Sequence, residues 1–201
     1  MKLLTSLAVM AALSLPAMAE PITFKEARKA LPRATAKASV TFDAAILPES
    51  DQARVGGEAA VEKLLRTLGA STPAYGAVAI SPSEGLFVEW LNGAGNFHSI
   101  ADARAAALAY CNGQRKGGSA KCALLVEVTP KGTSEEDTFS LSGPANKALR
   151  GPYRKLKSPK AFAISAKTGN FGFDRGDGGR ALEACAAAGD GAKDCKIVVA
   201  D

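Results

Sequence analysis

The 201-residue chain holds one histidine, one tryptophan and four cysteines. No two cysteines are spaced C-x-x-C, and with His98 as the single imidazole a structural zinc site lacks donors. There is no G-x-S-x-G elbow for a serine nucleophile and no G-x-x-x-x-G-K phosphate loop. The "GAGN" at 93–96 is not followed by the helix start and spacing of a dinucleotide fingerprint. No cofactor and no metal are therefore expected. Beyond the N-terminus no apolar run approaches the roughly 20 residues that span a bilayer. The alanine-rich stretch 100–111 carries Asp102 and Arg104. A formal charge of +5 is slight for a partner of nucleic acid. The densest basic run, "YRKLKSPK" at 153–160, sits beside Pro152 and Pro159 and reads as a solvated linker.

What is present begins with an address. "MKLLTSLAVMAALSLPAMAE" has a positive start at Lys2, an apolar stretch from Leu3 to Leu15, a helix-breaking Pro16 and the small-x-small pattern Ala17-Met18-Ala19. This is the layout of a secretory signal peptide over residues 1–19, cleaved at about Ala19–Glu20. It predicts a periplasmic or secreted protein without a membrane span. The 182 residues that follow are enough for one compact domain with a real core.

Export gives the cysteines a meaning. Cys111 and Cys122 enclose ten residues, Cys185 and Cys195 nine, and disulfides persist outside the cytoplasm. Four cysteines allow three connectivities. An internal echo selects one of them. Ala77, Ala79, Ile80, Ser81, Gly85 and Phe87 return as Ala161, Ala163, Ile164, Ser165, Gly169 and Phe171, each 84 positions on. If each copy carries its own bridge, the pairs are Cys111–Cys122 and Cys185–Cys195.

In the first copy (75–128), "AVAIS" at 77–81 reads as a strand and "LFVEWL" at 86–91 as a second. "SIADARAAALAYC" at 99–111 reads as a helix with Ser99 as N-cap, and Ile100, Ala103, Ala107, Leu108 and Cys111 fall on its apolar face. "KCALLVEV" at 121–128 closes the unit as a strand. The second copy (160–201) repeats the order as "AFAIS" (161–165), "GNFGF" (169–173), a helix over 178–189 and a strand over 194–200. Aligning the helices needs a ten-residue insertion around "WLNGAGNFHS" in copy one. Around the copies, 20–74 suggests helix, strand, helix: "TFKEARKAL" (23–31), "ASVTFDAAIL" (38–47) and an apolar-faced helix within 50–69. The connection 129–159 suggests a strand at "EDTFSLS" (136–142) and a helical turn at "PANKALRGPY" before the basic linker. The expectation is an α+β fold: a mainly antiparallel sheet with helices on one face, built from two pseudo-symmetric ββαβ repeats that share a single sheet.

The strand "GAVAIS", the helix ending in Cys111 and the strand led by Cys122 resemble a family of small exported bacterial domains without an assigned activity. The resemblance covers 75–128 and, in abbreviated form, 160–200. The whole layout is also similar to exported proteins of like length that carry a 5-aminolevulinate synthase label. That enzyme resembles the large pyridoxal-phosphate transferases, whose Schiff-base lysine sits in a much larger cytoplasmic domain. The resemblance therefore implies a fold and a compartment, and carries no catalytic residue to this chain.

The one-sided insertion is where a function would be added. Trp90, Asn92, Asn96 and His98 are candidate ligand-binding residues of a recognition loop. The reading this favours is a non-enzymatic binding or interaction protein with an unknown protein or small-molecule partner. The alternatives are a small hydrolase using His98 with Glu84, Glu89 or Asp102, and a structural envelope protein. The acids of "DRGDGGR" (174–180) and "GTSEEDT" (132–138) read as a helix-capping turn and a solvated hairpin approach rather than as metal sites.

Overall fold

The computed structural model describes residues 20–32, 38–57, 59–60, 63, 74–89, 91–189 and 191–201. The expected signal segment 1–19, most of the helix expected up to Gly69, and Trp90 lie outside the described residues. In chain order the elements are α1 (Phe24–Ala30), β1 (Ala38–Phe42), α2 (Glu49–Val55), β2 (Tyr75–Ile80), β3 (Gly93–Phe97), α3 (Ile100–Gln114) and β4 (Ala123–Pro130). They continue as α4 (Gly143–Ala148), β5 (Lys160–Ile164), β6 (Phe171–Arg175), α5 (Gly179–Ala187) and β7 (Lys196–Ala200). The fold is α+β, and its strands form two antiparallel sheets where one shared sheet was expected. The first has the order β1-β4-β2-β3 and the second β6-β5-β7.

Each sheet has a helix against one face, and the echoed residues explain how it fits. Ala77 and Ala79 on β2 pack with Ala103, Ala107 and Cys111 of α3. Ala161 and Ala163 on β5 pack with Ala181 and Cys185 of α5. Small side chains at alternate strand positions form a shallow face, so each helix settles close to the sheet. On β6 the approach is closer still. A Cβ on Gly172 would meet the Cys185 backbone nitrogen and lie 2.6 Å from the Ala181 carbonyl oxygen. Ile80 and Ile164 alternate to the opposite faces and join other clusters. Ser81 and Ser165 are fully buried and reach the loop ahead of the second cysteine of each bridge. Ser81 donates to the Ala120 carbonyl at 2.8 Å, and Ser165 donates to Asp194 at 2.6 Å. Gly85 and Gly169 then turn the chain with φ of +75° and +73°, a conformation that only glycine takes without strain.

Two disulfides, Cys111–Cys122 and Cys185–Cys195, tie each helix to the start of the following strand. Both have Cα atoms 6.1 Å apart, and no cysteine is left free.

Beyond Gly85 the echo fails. Residues 86–91 were expected to be a strand, but the described part of them is irregular. The second strand is β3, "GAGNF", inside the segment read as an insertion. Phe87, counterpart by number of the β6 residue Phe171, is 60% exposed beneath the Arg54 guanidinium. The strand resumes only where glycines allow close pairing: a Cβ on Gly76 would lie 3.0 Å from the Ala94 carbonyl oxygen. "EDTFSLS" is likewise no strand. Its alternation is real, since Leu141 is buried and Phe139 packs on the same cluster, but no sheet edge pairs with it.

The opposite face of the second sheet is covered by chain from far away in sequence. Ala27 and Leu31 at α1, Ala145 on α4 and the π-helical turn Leu149–Tyr153 surround Phe162 and Val199. Phe162 stacks between Phe171 and Phe173, with ring centroids 5.7 Å from each. Thr23 and Glu26 close α1 with a reciprocal capping box. Chain upstream of α1 reaches the edge of β7, where Ile22 bridges in parallel to Val199. The chain then crosses to the first sheet and supplies β1. The linker at 153–160 is exposed at Arg154, Lys155 and Lys157, but its two ends are not solvated as expected: Tyr153 and Lys160 are buried.

Candidate functional site

The two sheets meet at His98, between β3 and α3. The ring is 2% exposed, and the backbone on either side positions both of its nitrogens. Nδ1 accepts the Ser142 amide at 3.2 Å, and Nε2 lies 3.0 Å from the Asn170 carbonyl oxygen. An acceptor role at Nδ1 assigns the single ring proton to Nε2, which donates to Asn170. Burial pushes the imidazole pKa below its ordinary value, against weaker upward pulls from Asn170 and Asp102, so the ring is neutral at neutral pH.

Its partners are themselves anchored. The Ser142 hydroxyl caps α4 through the Ala145 amide, and Asn170 belongs to the β5–β6 turn of the second sheet. One residue before it, a Cβ on Gly169 would lie 2.5 Å from the Asn96 carbonyl oxygen. The turn of one sheet is thus seated directly on the backbone at the end of β3 in the other.

This geometry separates the residues that sequence reading had grouped. His98 is a pin between sheets, with both nitrogens engaged by backbone groups. Asn92 and Asn96 are exposed on and beside β3, the latter with φ of +63°. Of the acids weighed as partners for His98, Glu84 accepts the Lys116 amide at 2.8 Å and Glu89 is exposed. Asp102 accepts the Ser99 hydroxyl at 2.7 Å, within the cap of α3. Neither ring nitrogen has a carboxylate as its hydrogen-bond partner. In "GTSEEDT", Glu135 joins Glu127 in holding Arg104, which keeps the Glu135 carboxyl below its usual range. Among the described residues no group of three or more His, Cys, Asp or Glu side chains is placed to hold a metal ion.

Beside the pin opens a cleft of about 1170 Å³. Its apolar wall is Ile22, Phe139, Ile164, Leu182, Ile197 and Val198, drawn from both faces of the second sheet. Its rim carries Glu20, Glu26, Asp102 and Lys196, with hydroxyls from Ser99 and Ser140. Hydrogen bonds from Thr23 hold the Glu26 carboxyl below its usual pKa, so it is ionised at neutral pH. An apolar wall with a few polar groups is the usual make-up of a ligand site. Of the described residues singled out in the sequence as ligand-binding, only His98 lines it. The other lining residues come from six stretches of the chain, 20–30, 99–102, 138–140, 164, 182 and 195–198, and no local pattern in the sequence marked them as neighbours.

No helix among the described residues is long and apolar enough to cross a membrane. No family model, curated protein or solved structure matches the chain.

Proposed function

We infer that this protein is an exported binding module, held by two disulfides, that takes its ligand in the cleft between its second sheet, its N-terminal segment and the start of α3. The observation that carries the reading is the cleft itself: a large apolar hollow with a polar rim, built where the second sheet, the N-terminal segment and the start of α3 converge. His98 supports binding over hydrolysis at this position, because both of its nitrogens are already engaged by backbone groups. The N-terminal sequence supports export, and the disulfides are compatible with an oxidising compartment. A duplicated origin for the two halves is supported by like strand orders, β3-β2-β4 and β6-β5-β7, and by a bulge at Val78/Ala79 and again at Phe162/Ala163.

The test is intact mass of the chain purified from its host without reductant, under native and then denaturing conditions. A denatured mass beginning at Glu20 and lighter by four hydrogens is expected from export and two bridges. A native species carrying an added mass, lost from an Ala30→Trp variant that narrows the cleft, supports the binding reading. An added mass that Ala30→Trp retains places the ligand elsewhere and overturns the cleft.

A further inference from the structure

The geometry points to an extended peptide segment, apolar with basic residues, that adds as a strand to the outer edge of β7 and lays its side chains into the cleft. This inference rests on the cleft being the binding site and names the class of its ligand.

The argument starts from an asymmetry between the two sheets. β4 and β7 occupy the same place, each following the second cysteine of a bridge and pairing with the central strand. The outer edge of β4 is covered by β1, with five residue pairs from Ala38↔Pro130 to Phe42↔Val126. The outer edge of β7 meets only Ile22, whose amide donates to the Val198 carbonyl and whose carbonyl accepts from Ala200. Among the described residues nothing else pairs with that side of β7. From Lys196 to Val198 the strand faces the cleft instead. An uncovered strand edge presents backbone donors and acceptors at the spacing of another strand. Recognition by strand addition uses such an edge for affinity and a neighbouring pocket for alternate side chains.

The cleft supplies that pocket and states its preference. Its wall takes apolar side chains, and because residues alternate along a strand, every second residue of an added segment would face it. The rim carries three carboxylates against one ammonium, that of Lys196. Counting the α-amino group of a chain that begins at Glu20, the rim still keeps an excess of negative charge. That excess favours Lys or Arg on the segment and disfavours Asp or Glu. A free amphipathic amine would meet the same charge and the same wall, but it would leave the β7 edge unused.

A random dodecapeptide library displayed on phage, selected against the intact oxidised chain, is the probe. The expected winners alternate Val, Ile or Leu with Lys or Arg. Synthesised without the phage, they should slow amide exchange at Lys196–Val198. N-methylation of alternate peptide amides should weaken them by about tenfold or more, and Glu20→Lys by several-fold, since each removes one recognition element. Winners that are acidic, that tolerate N-methylation, or that protect amides outside the cleft overturn strand addition, as does a selection with no winners. The failures separate. If the native-mass ligand is lost from Ala30→Trp while no peptide touches β7, the cleft stands and the peptide falls. If neither ligand nor peptide perturbs cleft amides, both fall.

Discussion

Replacing His98 by alanine tests the joint on which the arrangement of the two sheets depends. The substitution removes a fully buried ring and leaves the Ser142 amide and the Asn170 carbonyl without their partner. A buried polar group left unsatisfied costs roughly 1–3 kcal/mol, and two of them with a partly collapsed cavity come to about 3–5 kcal/mol. The wild-type ring also carries a pH signature. Its folded pKa lies below the unfolded value near 6.5, so the unfolded chain binds the extra proton. The contribution is complete above that unfolded value and is lost as pH falls through the folded one. At pH 5.5 the loss is at most about 1.4 kcal/mol, a limit set by the unfolded pKa alone. Because the chain has one histidine, the window from pH 7 to 5.5 is nearly free of other side-chain titrations. Urea unfolding at pH 7 and 5.5, on wild type and His98→Ala, reads both quantities as shifts of the midpoint at constant slope. A cost below about 1 kcal/mol, or an equal pH response in the variant, would refute the pin.

Other expectations follow from the same packing. Gly172→Ala should cost at least about 2 kcal/mol, because its Cβ collides with the α5 backbone rather than with a movable side chain; a thermal melt within a degree of wild type would contradict this. Cys185→Ser with Cys195→Ser should cost about 2–4 kcal/mol by restoring freedom to the unfolded chain, measured by denaturant unfolding against the intact chain. Lys160 is buried between the rings of Phe24 and Tyr153, with Asp201 its anion at 3.7 Å. Asp201→Asn should therefore cost about 1–3 kcal/mol, and adding Lys160→Met should recover most of it, since the loss is an uncompensated buried charge. Burial, with the charge of Asp201, holds the Tyr153 phenol above its ordinary pKa, so an ultraviolet titration should show one phenol that ionises above the ordinary tyrosine range and that the Tyr153→Phe variant lacks.

The elements that were legible in the sequence are those whose partners lie close along the chain. α3 is capped by Ser99, and of the five residues that the helical spacing marked, Ile100, Ala103, Ala107 and Cys111 are buried and Leu108 is half-buried. The disulfides lie ten and eleven residues apart, and the echo of alanines, serine and turn glycine carried its meaning locally: small residues under a helix, a hydroxyl to the loop ahead of the second cysteine, a left-handed turn. Hydrophobic period and turn chemistry act over a few residues, so a single chain displays them.

What joins distant segments could be decided only by the tertiary structure. The strands divide into two sheets because β1 adds to β4, while Ile22 and α1, a few residues earlier, pack on the other sheet. The 86–91 segment has the composition of a strand, yet "GAGNF" is the strand, since close pairing with β2 rewards glycine over bulk. His98, marked in the sequence as a chemical residue, is buried as a neutral bridge because a turn 72 positions away brings a carbonyl to its Nε2. The cleft exists only when residues from both ends of the chain meet. Local propensity carries no record of such meetings, because the free energy that selects them is released when separate surfaces leave water together.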